Sequence, residues 1–381
     1  MNTEDVQKRV TELGEQFATQ RAERQERTSL DPADFEALAG AGYLHLAVPV
    51  DHGGLFEGVQ KSTRPICETL RNLAHGDPSV ALVSAMHPAV LVVWAEIEEA
   101  DPKHAEAWRA QREKYFRSAL EGHWWGTITS EPGSGGDVFK TNTVARKGED
   151  GRTWTLSGDK HFGSGSGISS FMITTARAEG SKVPGLFVFD MRDVPWDGST
   201  GARLIAQWDG HGMSATQSHA FRFDDFPAER YAWPRGLERA MSAAGQLGDC
   251  VFTAVVLGVV ESAVAAAREN LRGKKDSLRS FEQVEWTRTL KEAWLCEQAY
   301  QGMLRAVESG ERPSWGTSCG KASVAELAET LMLRVSKVVG GGTFSRRSPF
   351  GRWAQDVRAL GFLRPPWGLA FDKLFEMSWE D

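Results

Sequence analysis

The chain has 381 residues, a net charge of −7, 41% apolar and 25% charged residues. That acidic balance leaves no basic footprint for nucleic acid or an anionic membrane surface, and the apolar share is ordinary for a globular protein. The length allows two or three packed units with sizeable cores. No apolar run reads as long enough to span a bilayer, and no signal peptide opens the chain, so a cytoplasmic protein without a membrane partner is expected. Cys67, Cys250, Cys296 and Cys319 are scattered without CxxC spacing, and His45, His52, His87 and His161 without HExxH or HxH pairing. Neither a disulfide framework nor a metal site follows from them.

The N-terminal part reads helical. Val6, Val10, Leu13 and Phe17 form one apolar stripe. Asp31-Pro32 reads as an N-cap with proline at the first helical position, and Gly40-Ala41-Gly42 as the stop. Val59 to Leu73 and Val80 to Ile97 are further helices, the second carrying His87 before Pro88, more a satisfied histidine than a ligand contact. From Trp124 the period changes. Trp124 to Thr129, Trp154 to Leu156, Phe171 to Ala176, Gly185 to Phe189 and Ala220 to Phe223 are short β-type runs, punctuated at Gly158-Asp159 and Asp224-Asp225. After Trp233-Pro234 long one-sided helices return over Leu237–Leu271, Phe281–Ser309, Lys321–Val339 and Arg352–Leu360. Breaks are expected at Gly273, over Gly310 to Gly320 and at Gly340-Gly341-Gly342. The stretch Val251 to Val260, interrupted by Thr253 and Gly258, reads as a buried helix. The order α, β, α divides the chain at 1–120, 121–232 and 233–381, an α+β multidomain arrangement whose last part suits a bundle.

One segment carries the most chemistry: Thr129-Ser130-Glu131-Pro132-Gly133-Ser134-Gly135-Gly136-Asp137, between two strand-like runs. Proline forces a turn, and glycines let backbone N–H groups approach an anion. A surface turn has the same composition.

Neighbouring motifs settle the direction of the reading. Gly42-Tyr43-Leu44 through Pro49 and Gly53-Gly54, Asp77-Pro78-Ser79 with His87, Ser130 to Asp137, and Trp154 to Lys160 occur in an order that resembles the acyl-CoA dehydrogenase superfamily. Gly212 to Thr216, Phe223-Asp224-Asp225, Val338 to Gly341, Pro349 and Gln355-Asp356 continue the likeness over nearly the whole chain. The resemblance implies an N-terminal helical domain, a central β-barrel-like domain and a C-terminal four-helix bundle. It also implies non-covalent FAD and a homodimer or homotetramer whose subunits complete each other's flavin sites.

By the same resemblance Thr129 and Ser130 face the pyrimidine side of the flavin ring, and Gly135 and Gly136 lie near the pyrophosphate, Gly136 through its backbone N–H. Phe162 matches an aromatic wall, with a plain core residue as the other reading, and Ser164 a hydroxyl beside the reactive nitrogen. Arg272 and Gln283 match residues that reach a neighbour's FAD. Gly340 and Gly341 suit the adenosine half, where Lys337 replaces a glutamine.

A dehydrogenase of this family needs a carboxylate to take the α proton of an acyl-CoA while hydride passes to flavin, with an acceptor such as electron-transfer flavoprotein. Arg364 stands where most relatives carry that glutamate. The helix-borne alternative, resembling isovaleryl-CoA dehydrogenase, points to Glu238 in Leu237-Glu238-Arg239. The expectation is therefore FAD-dependent α,β-dehydrogenation with Glu238 as base. A two-component flavin monooxygenase is the alternative, and a flavin-binding protein without dehydrogenase chemistry a third. Trp124, Trp125, Met213, Trp367 and Phe371, with Arg364, are the expected substrate-pocket residues.

Overall fold

The computed structural model describes residues 1–149, 153–234 and 237–380. Helix α1 (Thr3–Thr19) is capped by the Asn2 side chain, which accepts the Asp5 N–H at 2.8 Å, and buries Val6, Val10 and Phe17. A single turn, α2 (Arg21–Arg24), precedes α3 (Pro32–Gly40), whose Asp31 cap accepts from Ala33 N–H at 3.0 Å. Gly42, with φ 92°, closes that turn as expected. Helices α4 (Val59–Gly76) and α5 (Pro78–Ala95) meet at Asp77. Its carboxylate caps α5 through the Ser79 and Val80 N–H groups, both at 3.0 Å, and also receives Arg24. Helix α6 (Ala105–Leu120), which no periodicity flagged, completes the first part.

Seven strands follow: β1 (Trp125–Thr127), β2 (Val144–Lys147), β3 (Trp154–Gly163), β4 (Phe171–Ala178), β5 (Gly185–Asp190), β6 (Ala202–Ala206) and β7 (His219–Arg230). Pairing runs β4-β2-β3-β7-β5 and returns from β5 to β4, so five strands close a ring, with β1 beside β4 and β6 beside β7. Ile128, Leu156, Met172, Phe187, Phe189 and Phe223 fill it. The expected punctuation at Gly158-Asp159 and Asp224-Asp225 lies inside strands instead. A register shift between Leu156 and Gly158 lets β3 bend without ending, and Asp225 adopts φ 49° within β7.

The C-terminal part consists of α7 (Leu237–Arg272), α8 (Ser280–Ser309) and α9 (Pro313–Val339), followed by α10 (Pro349–Asp356), α11 (Ala359–Phe362) and α12 (Trp367–Met377). The expected break over Gly310 to Gly320 is confined to its start. Gly316 and Gly320 lie within α9, and a Cβ on Gly320 would meet Met303 Cγ of α8 at 2.0 Å, so these glycines admit a close helix contact rather than a loop. The membrane reading needs correction as well. α5 and α7 are both long and apolar enough to cross a bilayer by length and composition, but 89% and 78% of their most apolar windows are buried inside the protein. They are the core helices against which α4 and α9 pack.

Gly258 shows how tight that core is. A Cβ there would lie 2.4 Å from the Arg71 carbonyl oxygen and 3.0 Å from Ala74 Cβ, both on α4. Gly258→Val is expected to force α4 and α7 apart at a cost of about 1–3 kcal/mol, seen as a lower urea midpoint with the slope unchanged.

Candidate functional site

The glycine-rich loop leaves β1 and is tied at once to the end of β3: Ser130 accepts the His161 N–H at 2.8 Å. The next residue holds it in place. Glu131 accepts from Lys160 Nζ at 2.6 Å, Asn142 N–H at 2.6 Å, Thr143 N–H at 3.2 Å, Thr143 Oγ1 at 2.8 Å and the Thr141 hydroxyl. Lys160, wholly buried, donates also to the Thr175 carbonyl at 2.7 Å. Burial disfavours the Glu131 carboxylate, but Lys160 and the Thr141 and Asn142 donors outweigh it and hold the group at about 2. Burial pulls Lys160 down to about 8, so the pair stays ionised at neutral pH. Neither residue stood out in the sequence except as part of a motif. Their spacing, an acid before Pro132 and a lysine at the far end of a strand, was the available signal.

Beyond Glu131 the loop turns through Gly133, Gly135 and Gly136 with φ of 80°, 62° and 85°, which a side chain would strain. Gly136 departs from expectation. Its N–H is donated to Ser134 Oγ at 3.2 Å, and a Cβ would lie 2.6 Å from Pro366 Cγ. It is a glycine because the C-terminal arm packs on it. Around Gly135 the space is open.

Three groups next to the loop fit a flat polar ring. Thr129 is 5% exposed, and its Oγ1 has no hydrogen-bond partner among the described residues, an expensive state that a ring carbonyl or N–H would relieve. Phe162, at φ 62° and 58% exposed, edges toward Trp208 at 6.3 Å. That exposure removes the core reading. Ser164 heads a hydroxyl chain with one possible polarity. Thr216 Oγ1 donates to the Met213 carbonyl at 2.8 Å, so its single proton is committed. Ser218 must then donate to Thr216, and Ser164 to Ser218, each at 2.8 Å. Toward anything else Ser164 can only accept.

The arm between α11 and α12 closes the other side. Arg364 Nη2 donates to Ser130 Oγ at 3.2 Å, and burial lowers its pKa to about 10, still charged at neutral pH. Lys321 of α9 donates to the carbonyls of Leu363 and Pro365 at 2.8 and 2.9 Å, clamping the backbone on both sides of Arg364. Lys321 also lies 3.6 Å from Asp249 of α7, whose carboxyl burial pushes up and whose Oδ1 has no partner at hydrogen-bond distance among the described residues. Trp367, partly buried, stacks with Phe371 at 6.1 Å beyond the arm.

Other expected residues sit elsewhere. Trp125 is 1% exposed, stacked on Phe171 and bonded to Ser118 Oγ, and Trp124 packs among Phe35, Tyr43 and His87. Both belong to the core between α5, α6 and the sheet, because indoles of that size fill the seam between helical and β parts. Met213 is likewise buried. His87 is a buried structural residue: Nδ1 accepts the Trp125 N–H at 3.2 Å, and burial drops its pKa to about 3. Glu238 is exposed on the first turn of α7 and so lacks the desolvation a base needs. About three turns further along the same face Asp249 is the buried carboxylate. Its signal was a single acid in an otherwise apolar run, Leu247 to Val251.

Arg272 pairs with Glu269 at 3.3 Å, and Gln283 Nε2 donates to the Leu278 carbonyl at 2.8 Å. Lys337 lies 3.7 Å from the buried Glu285, and Gly340, at φ 91°, caps α9 ahead of Gly341. No hydrogen bond or ion pair joins these five to the loop among the described residues.

Residues 126–226 match the acyl-CoA dehydrogenase middle-domain family. An amino sugar nitrososynthase of Streptomyces rubradiris is 26% identical over 402 residues, covering 95% of this chain and 88% of its own. Two solved structures share the fold. The FMN-bound dibenzothiophene monooxygenase of Paenibacillus sp. A11-2 has a TM-score of 0.80 at 18% identity, covering 98% of this chain and 97% of its own. Butyryl-CoA dehydrogenase of Megasphaera elsdenii has a TM-score of 0.82 at 20% identity, covering 99% and 97%.

Removing either half of the loop clamp tests its role. Lys160→Met should cost about 3–5 kcal/mol by leaving Glu131 charged, buried and unpaired, measured by urea unfolding. Because the folded Glu131 pKa lies below its usual 4.5, its contribution is complete above pH ~4.5 and falls away as pH drops toward about 2. The acid limb of a stability–pH curve should therefore be shallower in Glu131→Gln. Thr129→Val removes an unpartnered buried hydroxyl, so it should keep or slightly raise the stability of the flavin-free protein while weakening flavin binding by about tenfold, the worth of one hydrogen bond, in a fluorescence titration.

Proposed function

The chain belongs to the acyl-CoA dehydrogenase superfamily, and on that premise we propose that it is a flavin-dependent monooxygenase fed with reduced flavin, rather than an acyl-CoA dehydrogenase. The observation that carries this reading is Arg364. A guanidinium clamped at the loop cannot remove a carbon-bound proton, and Glu238, the other candidate, lies in solvent. The nitrososynthase and monooxygenase likenesses support the same reading.

When bound, a reduced flavin supplies the two electrons that divide dioxygen, one oxygen atom entering the substrate and the other leaving as water. The residues of the chain do the rest. Thr129 and Ser130 would hold the ring, Phe162 would cover it, and the packed arm would keep bulk water from one side. Ser164, limited to accepting, suits the N–H that a reduced flavin carries at its reactive nitrogen and an oxidised flavin lacks. Arg364 would place positive charge beside the loop at Ser130. The loop needs only the FMN part of a flavin. FAD, the cofactor implied by the resemblance, would use Arg272, Gln283, Lys337, Gly340 and Gly341 across a homodimer or homotetramer contact, and an electron-transfer flavoprotein would have no role.

Two measurements test the proposal. Under anaerobic conditions, reduced FMN should bind about tenfold more tightly than oxidised FMN, and Ser218→Ala, which frees the Ser164 proton, should narrow that ratio. Adding oxygen should then oxidise the bound flavin. Anaerobic bleaching of the oxidised holoprotein by butyryl-CoA or isovaleryl-CoA, lost in Glu238→Gln, would instead make it a dehydrogenase.

A further inference from the structure

The charge around the arm is unbalanced. Among the described residues Arg364 makes one polar contact, to the neutral Ser130 hydroxyl, and no carboxylate pairs with it. Lys321 sits under the same backbone, and Lys373 of α12 lies within electrostatic reach of Lys321 and Asp249. Asp249, 1% exposed and 3.6 Å from Lys321, offsets Lys321 and Lys373. Glu131 is taken by Lys160, the other cation within electrostatic reach of Arg364, so no acid is left for Arg364 among the described residues. Burial pulls Lys321 down to about 8, which records how poorly the region tolerates its own charge.

Arg364 is partly covered, and taking an uncompensated cation even partly out of water is costly, so an arginine kept in such a place favours an anion beside it. This one is also positioned. The Lys321 clamp spends two strong hydrogen bonds on the carbonyls either side of Arg364, and Pro366 wedges against Gly136. Arg364 commits only Nη2 to Ser130, and the rest of its planar fork suits a flat oxyanion.

We propose that Arg364, held by the Lys321–Asp249 pair, is the specificity-determining residue for a substrate that carries a carboxylate or phosphate group, bound on the arm side of the flavin loop. The inference names the substrate class of the monooxygenase site and rests on that reading for what is oxidised. Binding measured without turnover separates the two, because a dehydrogenase with the same arm would show the same preference.

The test uses the FMN-loaded protein and four probes: benzoate, phenyl phosphate, the neutral benzamide and inorganic phosphate, titrated by calorimetry. Benzoate or phenyl phosphate should bind at least about tenfold more tightly than benzamide, the worth of one charge-assisted hydrogen bond. In Arg364→Gln that preference should fall to within about twofold, with Arg364→Lys retaining part of it and Lys321→Met losing most of it. Equal binding of benzoate, phenyl phosphate and benzamide to the unaltered protein overturns the proposal, whether or not any variant folds. The anion could instead be the cofactor's own phosphate. Arg364→Gln would then reduce the preference for FMN over riboflavin and leave the benzoate-to-benzamide ratio alone, and this result also overturns the proposal. Competition by inorganic phosphate against phenyl phosphate, present in the unaltered protein and absent in Arg364→Gln, supports it.

Discussion

The site depends on one buried ion pair. Glu131 and Lys160 lie within the protein, and neither charge would be tolerable alone. Together, with the Thr141, Asn142 and Thr143 donors, they bind the start of the glycine loop to the middle of β3 and to the segment leading into β2. Lys160 is two residues from Phe162 and four from Ser164, so the same contact that sets the loop also sets the end of the strand that carries Phe162. A neutral hydrogen bond could have closed the turn. An ion pair with its lone pairs filled gives the loop a single position, because any shift leaves a buried charge short of partners.

The C-terminal arm is the second support, and it reverses the sign of the site. A carboxylate at position 364 would present negative charge and a proton acceptor to the loop. Arg364 presents positive charge and only donors. The surrounding structure has adapted to it: Lys321 fixes the backbone, Asp249 offsets Lys321, and Gly136 has no side chain because Pro366 lies in its place. The loop and the arm are therefore complementary surfaces.

Much of this was legible before any coordinates. The stripe of α1, the Asp31 cap and the Gly42 stop depend on neighbours three or four residues away and appear where the periodicity puts them. By contrast, α9 begins at Pro313 rather than Lys321, and the expected Arg352–Leu360 helix is divided between α10 and α11. β2 and β6 were missed because they are short and partly exposed, so no alternation marks them. The ends of β3 and β7 were misplaced because bulges absorb Gly158 and Asp225. Trp125 was misread as pocket lining, since an indole's volume says that it needs covering and not by what.

By itself, the sequence determined the order of helical and β segments, the glycine-rich turn after Thr129 and the presence of Arg364 where the resemblance places a carboxylate. Each of these is a local pattern or the identity of one residue. Only the tertiary structure decided what the loop residues do. Gly136 is a packing glycine because residues 230 positions away fold onto it, and the Ser164 hydroxyl acquires a direction because the Met213 carbonyl can only accept. Asp249 rather than Glu238 is the buried acid for the same reason: both lie on one face of α7, but only the later turn is covered by α9 and the arm. Burial and hydrogen-bond direction come from contacts between distant segments, which no local pattern encodes.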